Sequence, residues 1–473
     1  MLGRLFFFLR VGLYKNWQSR PYYCRQPIDA DGGHMKNRFG TIWIGQARGR
    51  RILAAVLAVI AVVWMVGINQ TQARAERPPQ DKPLLAAFVR GGALWMKEND
   101  NERQLTRAEH VRSPEWSHDG QWLAYSTGET AQQLWMLHAP TRTKHVVETT
   151  GIFEGGYKWS PRSGLLAYLK DQRLYVVGQQ EGAQPVEVTR SVGKISSFAW
   201  LPEGDGFVVS TQAELLPDGW TPVRLMRIKM PVDGGSAQAD QLYVLPTQLN
   251  ELPVVGTSTF KWSATGKWMA FLATPTASLS ADSNTLCVLS ADGATFKPVD
   301  QMANNADWFQ WSMEDDKLAY IGGIGREATS NKQLRVTSVP DIQPRSDFTP
   351  AGYVDQALTW RSPVDIVVSR AKAVTADESP AQKPFPFLVN VRVDGERQKR
   401  ITKSAAGYGD YGPESLGVNG LGWVRSNRSM ANVLVAAPGQ SGNRAVRWIA
   451  DIDQGSNYYE QWDWHTVLRF FVR

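Results

Sequence analysis

Trp116-Ser117-His118-Asp119-Gly120-Gln121-Trp122-Leu123-Ala124-Tyr125 is the stretch that decides the fold. It opens on the last residue of an alternating run, Pro114-Glu115-Trp116, passes through a short polar turn, and enters a second run, Leu123-Ala124-Tyr125. Apolar–polar–apolar alternation puts every second side chain on one face, the pattern of a half-buried strand. Asp-Gly between two such runs supplies the backbone freedom that a tight hairpin needs.

The unit recurs down the chain. An apolar residue, any residue and Trp stand at Tyr157-Lys158-Trp159, Phe198-Ala199-Trp200, Phe260-Lys261-Trp262, Phe309-Gln310-Trp311, Leu358-Thr359-Trp360 and Leu421-Gly422-Trp423. Ser follows the Trp as Ser117, Ser160, Ser263 and Ser312. A second strand is expected at Leu166-Ala167-Tyr168, Phe207-Val208-Val209, Met269-Ala270-Phe271, Leu318-Ala319-Tyr320 and Ile366-Val367-Val368, and an irregular one around Met430-Ala431-Asn432. Third strands follow at Leu134-Trp135-Met136, Leu174-Tyr175-Val176, Leu225-Met226-Arg227, Leu286-Cys287-Val288, Leu334-Arg335-Val336, Leu388-Val389-Asn390 and Val446-Arg447-Trp448. Successive Trp residues lie 43, 41, 62, 49, 49 and 63 residues apart, a period that suits four short antiparallel strands per unit. One such sheet cannot bury both faces, whereas blades stacked around an axis can. Trp116, Trp159, Trp200, Trp262, Trp311, Trp360 and Trp423 are therefore read as structural wedges between blades.

The Trp-Ser-x-x-Gly-x-x-Leu-Ala-Tyr pattern resembles the repeat of TolB-type, WD-like β-propellers, and also the propeller domains of dipeptidyl-peptidase and prolyl-oligopeptidase relatives. The resemblance covers roughly residues 84–455 and implies an all-β propeller of four-stranded blades. The peptidases carry their nucleophile on a separate hydrolase domain. This chain has no Gly-x-Ser-x-Gly elbow, and the stretch after residue 455 is too short for such a domain.

Blade count follows from closure. Leu84–Val89, Leu94-Trp95-Met96 and Arg103–Thr106 read as three strands without an inner partner. The apolar tail around Trp462 and Trp464 is expected to supply it, giving eight blades. Seven blades with a terminal strand set outside the ring is the alternative.

The net charge of +7 would suit a nucleic-acid binder, but its distribution excludes one. Residues 1–51 alone carry +8, so the rest of the chain is −1. Arg48, Arg50 and Arg51 abut a 17-residue run free of charge, Ile52 to Ile68. Positive flanks and that length point to a transmembrane helix or a signal-peptide core, with the C-terminal part exported. The expected organisation is a basic cytoplasmic tail 1–51, a membrane segment 52–68, a linker 69–83 and a propeller 84–473. Cleavage near Ala75, which would release a secreted protein, is the alternative to a single-pass anchor. Met35 is a plausible true start, which would leave residues 1–34 as upstream sequence.

No catalytic, cofactor or metal residues are assigned. The histidines His34, His110, His118, His138, His145 and His465 show no ligand spacing, although a ring of blades can gather ligands at its axis whatever their spacing. Glu314-Asp315-Asp316 reads as a solvated turn and Cys287 as a buried, inert thiol. Tyr408–Pro413, Gln212–Thr259 and Ala371–Pro386 read as loops or insertions, where binding function usually resides. The expected function is a membrane-tethered, exported scaffold that binds protein or an envelope polymer. The alternative is an exported lyase or hydrolase with its site at the propeller axis.

Overall fold

The computed structural model describes residues 83–230, 237–346, 348–374, 382–395, 397–440 and 442–472. The membrane segment expected at 52–68 lies outside them. Among the described residues, no helix is long and apolar enough to cross a membrane.

The described chain is an eight-bladed propeller of antiparallel sheets. Blade 2 is typical: Arg112–Trp116 is its inner strand, followed outward by Trp122–Thr127, Gln133–His138 and Lys144–Glu148. Blades 3, 4 and 7 begin on Ile152–Trp159, Ile195–Trp200 and Tyr353–Ser362 and run outward in the same order. In blade 5 the inner strand is broken into Gly256–Thr257 and Lys261–Trp262, both paired with Trp268–Thr274. Blade 6 has three strands, Phe309–Trp311, Lys317–Gly322 and Gln333–Ser338, and a single bridge from Val336 to Arg345 stands where a fourth would run. Of the Gln212–Thr259 insertion, Arg224–Lys229 and Gln238–Val244 complete blade 4, and two small hairpins, Leu215–Trp220 and Gln248–Pro253, project from it.

The ring is closed by both termini. Leu468–Phe471 is the inner strand of blade 1 and pairs with Leu85–Arg90, outside which lie Ala93–Glu98 and Asn101–Gln104. The closing strand is thus a few residues beyond the expected Trp462 and Trp464. Leu468-Arg469-Phe470 has the alternation an inner strand needs, with Leu468 and Phe470 buried and Arg469 facing the axis. Trp462 and Trp464 instead stack on each other, 5.2 Å apart, at the end of a hairpin formed by Ser456–Tyr458 and Gln461–Asp463. Gly120 lets the tail approach: its φ is +71°, and a Cβ there would lie 2.7 Å from the Phe471 ring.

Blade 8 corrects the strand assignment. Its inner strand is Gly409–Ser415, read from sequence as a glycine-hinged loop, and Leu421–Ser426, which contains Trp423, is the second strand. Ala431–Ala436 and Val446–Ile452 are therefore third and fourth. Trp423 occupies the place held by Tyr125 in blade 2, because Leu421 and Gly422 pair as Leu123 and Ala124 do. Trp262 also departs from expectation: it is half-buried, whereas Trp116, Trp159, Trp200, Trp311, Trp360 and Trp423 are buried.

Why Trp recurs is visible in its hydrogen bonds. The Nε1 of Trp159, Trp200, Trp311 and Trp360 donates to the backbone oxygen of Glu115, Lys158, Lys261 and Gln310 at 3.0, 2.9, 2.8 and 3.1 Å. Trp116 reaches the Arg469 oxygen at 3.1 Å, and Trp262 reaches that of Trp200 at 2.9 Å. Each indole thus fills the gap between two blades and ties one inner strand to the one before it. The Ser after Trp is buried and holds the turn: Ser117 Oγ donates to Asp119 at 2.6 Å and accepts from Trp122 N at 2.9 Å. Trp311→Phe keeps most of the wedge but leaves the Lys261 oxygen without its indole donor. A loss of about 1 kcal/mol is expected in chemical denaturation. An unchanged midpoint and slope would show that the indole link contributes nothing.

Candidate functional site

The position between the apolar residue and the Trp, free to vary in sequence, faces the axis. Glu115, Lys158, Ala199, Lys261, Gln310 and Thr359 pair respectively with Ala124, Ala167, Val208, Ala270, Ala319 and Val367 of the second strands. Glu414 of blade 8, opposite Gly422, and Arg469 of blade 1, opposite Ala87, occupy the same register. Period-two alternation sends the flanking residues into the blade interfaces and these eight toward the centre.

Three of the charged members satisfy one another. Arg469 forms a short ion pair with Glu115, whose Oε1 also accepts from Lys158 Nζ at 2.6 Å. Burial works to raise the Glu115 carboxyl, but Arg469 and Lys158 outweigh it and hold it below the usual range. Lys261 Nζ donates to the backbone oxygens of Ala306 at 2.6 Å and Phe309 at 3.2 Å, and lies 3.7 Å from Asp307. Burial lowers the Lys261 ammonium, partly offset by Asp307.

The loop before the inner strand of blade 6 and the tail hairpin add a second layer, which with the first encloses a cavity of about 590 Å³. His465 Nδ1 lies 3.0 Å from Asp307 Oδ2, its Nε2 4.0 Å from Glu414, and its backbone N–H donates to Asp463 at 2.9 Å. Asp307 is half-exposed, but to this cavity, and burial would raise it. His465, Lys261 and Arg469 together hold it well below the usual carboxylate range. Burial and Arg469 push the His465 imidazole down, Asp307 and Glu414 push it up, and the net shift is upward. Burial raises Glu414 and Asp463, with Asp307 adding to both. The carboxylates of Asp307 and Asp463 and a ring nitrogen of His465 lie within 4.8 Å of one another, close enough to share a divalent ion. The His465 hydrogen bond and the Lys261 ammonium 3.7 Å away already answer Asp307.

Around the cavity stand Trp462, Trp464, Tyr458, Asn304, Asn305 and Gln461. Tyr458 is about half exposed, and Trp462 and Trp464 pack beneath Tyr411 at 5.9 and 5.8 Å between ring centres. The blade tryptophans do not line this cavity. Among the residues weighed from sequence, His118 is exposed on a turn, Glu314-Asp315-Asp316 is a turn with Asp315 paired to Lys317 at 2.6 Å, and Cys287 is buried with its thiol pushed up by burial. Of the histidines, His465 alone reaches the axial cavity among the described residues.

No family model matches the chain, and no curated protein matches it. Solved structures do. Dihydro-heme d1 dehydrogenase NirN, in complex with DHE, is similar over 82% of this chain and 77% of its own, with a TM-score of 0.53 at 10% identity. The likeness is one of fold. A puromycin hydrolase S511A mutant, complexed with PGG, matches 75% of this chain at 14% identity and a TM-score of 0.47. This chain spans 55% of that one's length. TolB from Acinetobacter baumannii, of the type whose repeat the sequence resembles, matches 59% of this chain and 67% of its own, at 16% identity and a TM-score of 0.34.

Proposed function

We propose that this chain is a membrane-tethered, exported β-propeller that acts as a scaffold, binding a protein or cell-envelope polymer at the mouth of its axial cavity. The observation that carries the reading is the composition of that cavity. Glu115 and Asp307 are paired within the molecule, and the amides of Asn305 and Gln461 engage each other, Asp307 N and the Arg326 oxygen, while the lining offers the rings of Trp462 and Tyr458 and the amide of Asn304. Concave sites with aromatic walls and a few placed polar groups bind rather than merely pack. Flat rings beside amide donors suit the alternating apolar faces and hydroxyl edges of sugar units, which favours a polymer over a protein loop.

The test is co-sedimentation of the detergent-solubilised full chain with isolated cell-wall polymer. Trp462→Ala is expected to weaken capture about tenfold, the equivalent of ~1.4 kcal/mol. Equal capture by this variant, with an unchanged melting curve, would place binding elsewhere. Tethering rests on the charge asymmetry around residues 52–68. Protease added to spheroplasts should degrade residues 84–473, and full protection would end the export reading.

A second reading, an exported lyase or hydrolase, draws on the Asp307–His465 pair at 3.0 Å, in which the carboxylate orients an imidazole toward the cavity. Turnover of a polysaccharide or peptide that is lost in His465→Gln, with binding retained, would favour it.

A further inference from the structure

A second cavity, of about 660 Å³, opens between blades 7 and 8 and shares no lining residue with the axial one. Arg361 reaches it from the end of the blade 7 inner strand, Lys399 from that blade's outer strand Gln398–Arg400, and Arg444 from the blade 8 connection between Ala431–Ala436 and Val446–Ile452. Elsewhere in these two blades the buried Arg370 and the partly buried Arg425 and Arg428 are matched. Arg370 meets Asp355 at 2.7 Å, Arg425 meets Asp410 at 2.7 Å, and Arg428 meets Glu460 at 3.0 Å. Among the described residues, the partly buried Arg361 and the exposed Lys399 and Arg444 have no such carboxylate. The single acid on the wall, Asp365, is occupied by neutral donors: Ser362 Oγ at 3.0 Å and Asn390 Nδ2 at 2.8 Å.

Three cations converge on one concave space with one carboxylate, which leaves the wall at +2. Such an arrangement is repulsive in isolation and favours an anion. Two guanidiniums present planar forks that match the oxygens of a phosphate, and a lysine adds a point charge. The space is larger than a bare phosphate needs, so it has room for the group that carries it. We propose that this cleft binds the phosphate of a phosphorylated ligand, independently of the axial site. Such a phosphate could be borne by a sugar or by a lipid headgroup.

The experiment titrates the detergent-solubilised full chain with inorganic phosphate, glucose 6-phosphate, glucose and glucuronate, and separately measures its co-flotation with vesicles that contain phosphatidic acid. Saturable binding of glucose 6-phosphate, displaced by inorganic phosphate and absent for glucose, is expected, and the affinity should fall as salt rises. Arg361→Met and Arg444→Met should each weaken it at least tenfold with unchanged melting curves, while Arg190→Gln, an exposed site elsewhere, should not. Flotation lost in the same two variants would identify the lipid as the source, and its absence alongside sugar-phosphate binding would identify the soluble ester. The proposal falls if no phosphate ligand binds up to millimolar concentration, if glucuronate binds as well as glucose 6-phosphate, or if both arginine variants bind normally.

Discussion

A chain truncated before Leu468 is expected to unfold or aggregate rather than lose a tail. Leu468–Phe471 supplies the inner strand of blade 1, with Leu85, Ala86, Ala87 and Phe88 as register partners. Leu468 and Phe470 are buried, and Phe470 stacks on Trp448 at 5.9 Å. Burial of those side chains contributes about 1.5–3 kcal/mol each. Their removal also strips Trp116 of its indole acceptor and Glu115 of its arginine, leaving that carboxylate with Lys158 alone. The edge of Leu85–Arg90 becomes a free template for other chains. Together these losses are of the order of a typical domain's whole stability, about 5–15 kcal/mol. A truncated protein that stays monomeric by size-exclusion chromatography and melts like the intact chain would refute closure by this segment.

Trp423→Ala is expected to cost about 3–5 kcal/mol in chemical denaturation. Trp423 is wholly buried, and its Nε1 donates to Asp410 Oδ1 at 2.9 Å. Asp410 is itself buried and otherwise held by Arg425 at 2.7 and 3.1 Å. The substitution opens a cavity and removes one donor from a carboxylate that water cannot reach. Trp262→Ala should cost clearly less, since Trp262 is only partly buried. The order of the two variants is the test: a Trp262→Ala loss equal to or above that of Trp423→Ala contradicts the burial described here.

Much of the ring was legible because strand burial writes itself into a period of two. Leu123-Ala124-Tyr125 and its counterparts could be read without knowing their partners, as could the three unpartnered strands from Leu84 to Thr106. Blade 8 was misread because Trp carried the pattern: Trp423 has moved to the second strand, and the inner strand, Gly409-Asp410-Tyr411-Gly412-Pro413-Glu414-Ser415, has the composition of a turn. The axial site was less legible for a different reason. Its members sit at the one position of the repeat where core packing imposes nothing, so Glu, Lys, Gln and Thr follow one another without local rule. Asp307 and His465 are 158 residues apart and meet only when the ring closes. The sole local signal was an alternating strand whose middle residue is charged, as in Glu115, Lys158 and Lys261.

The pairing of Leu85 with Phe471 also sets an order of events in time. The first strands made must wait for the last, and at ribosomal rates of about 5–20 residues per second that interval is tens of seconds. Throughout it blade 1 has no inner strand, and the charges of Glu115 and Lys158 have no Arg469 beside them. Non-local closure of this kind is slow and leaves an edge open to other chains. The circle is thus complete only once the last residues of the chain have joined the first.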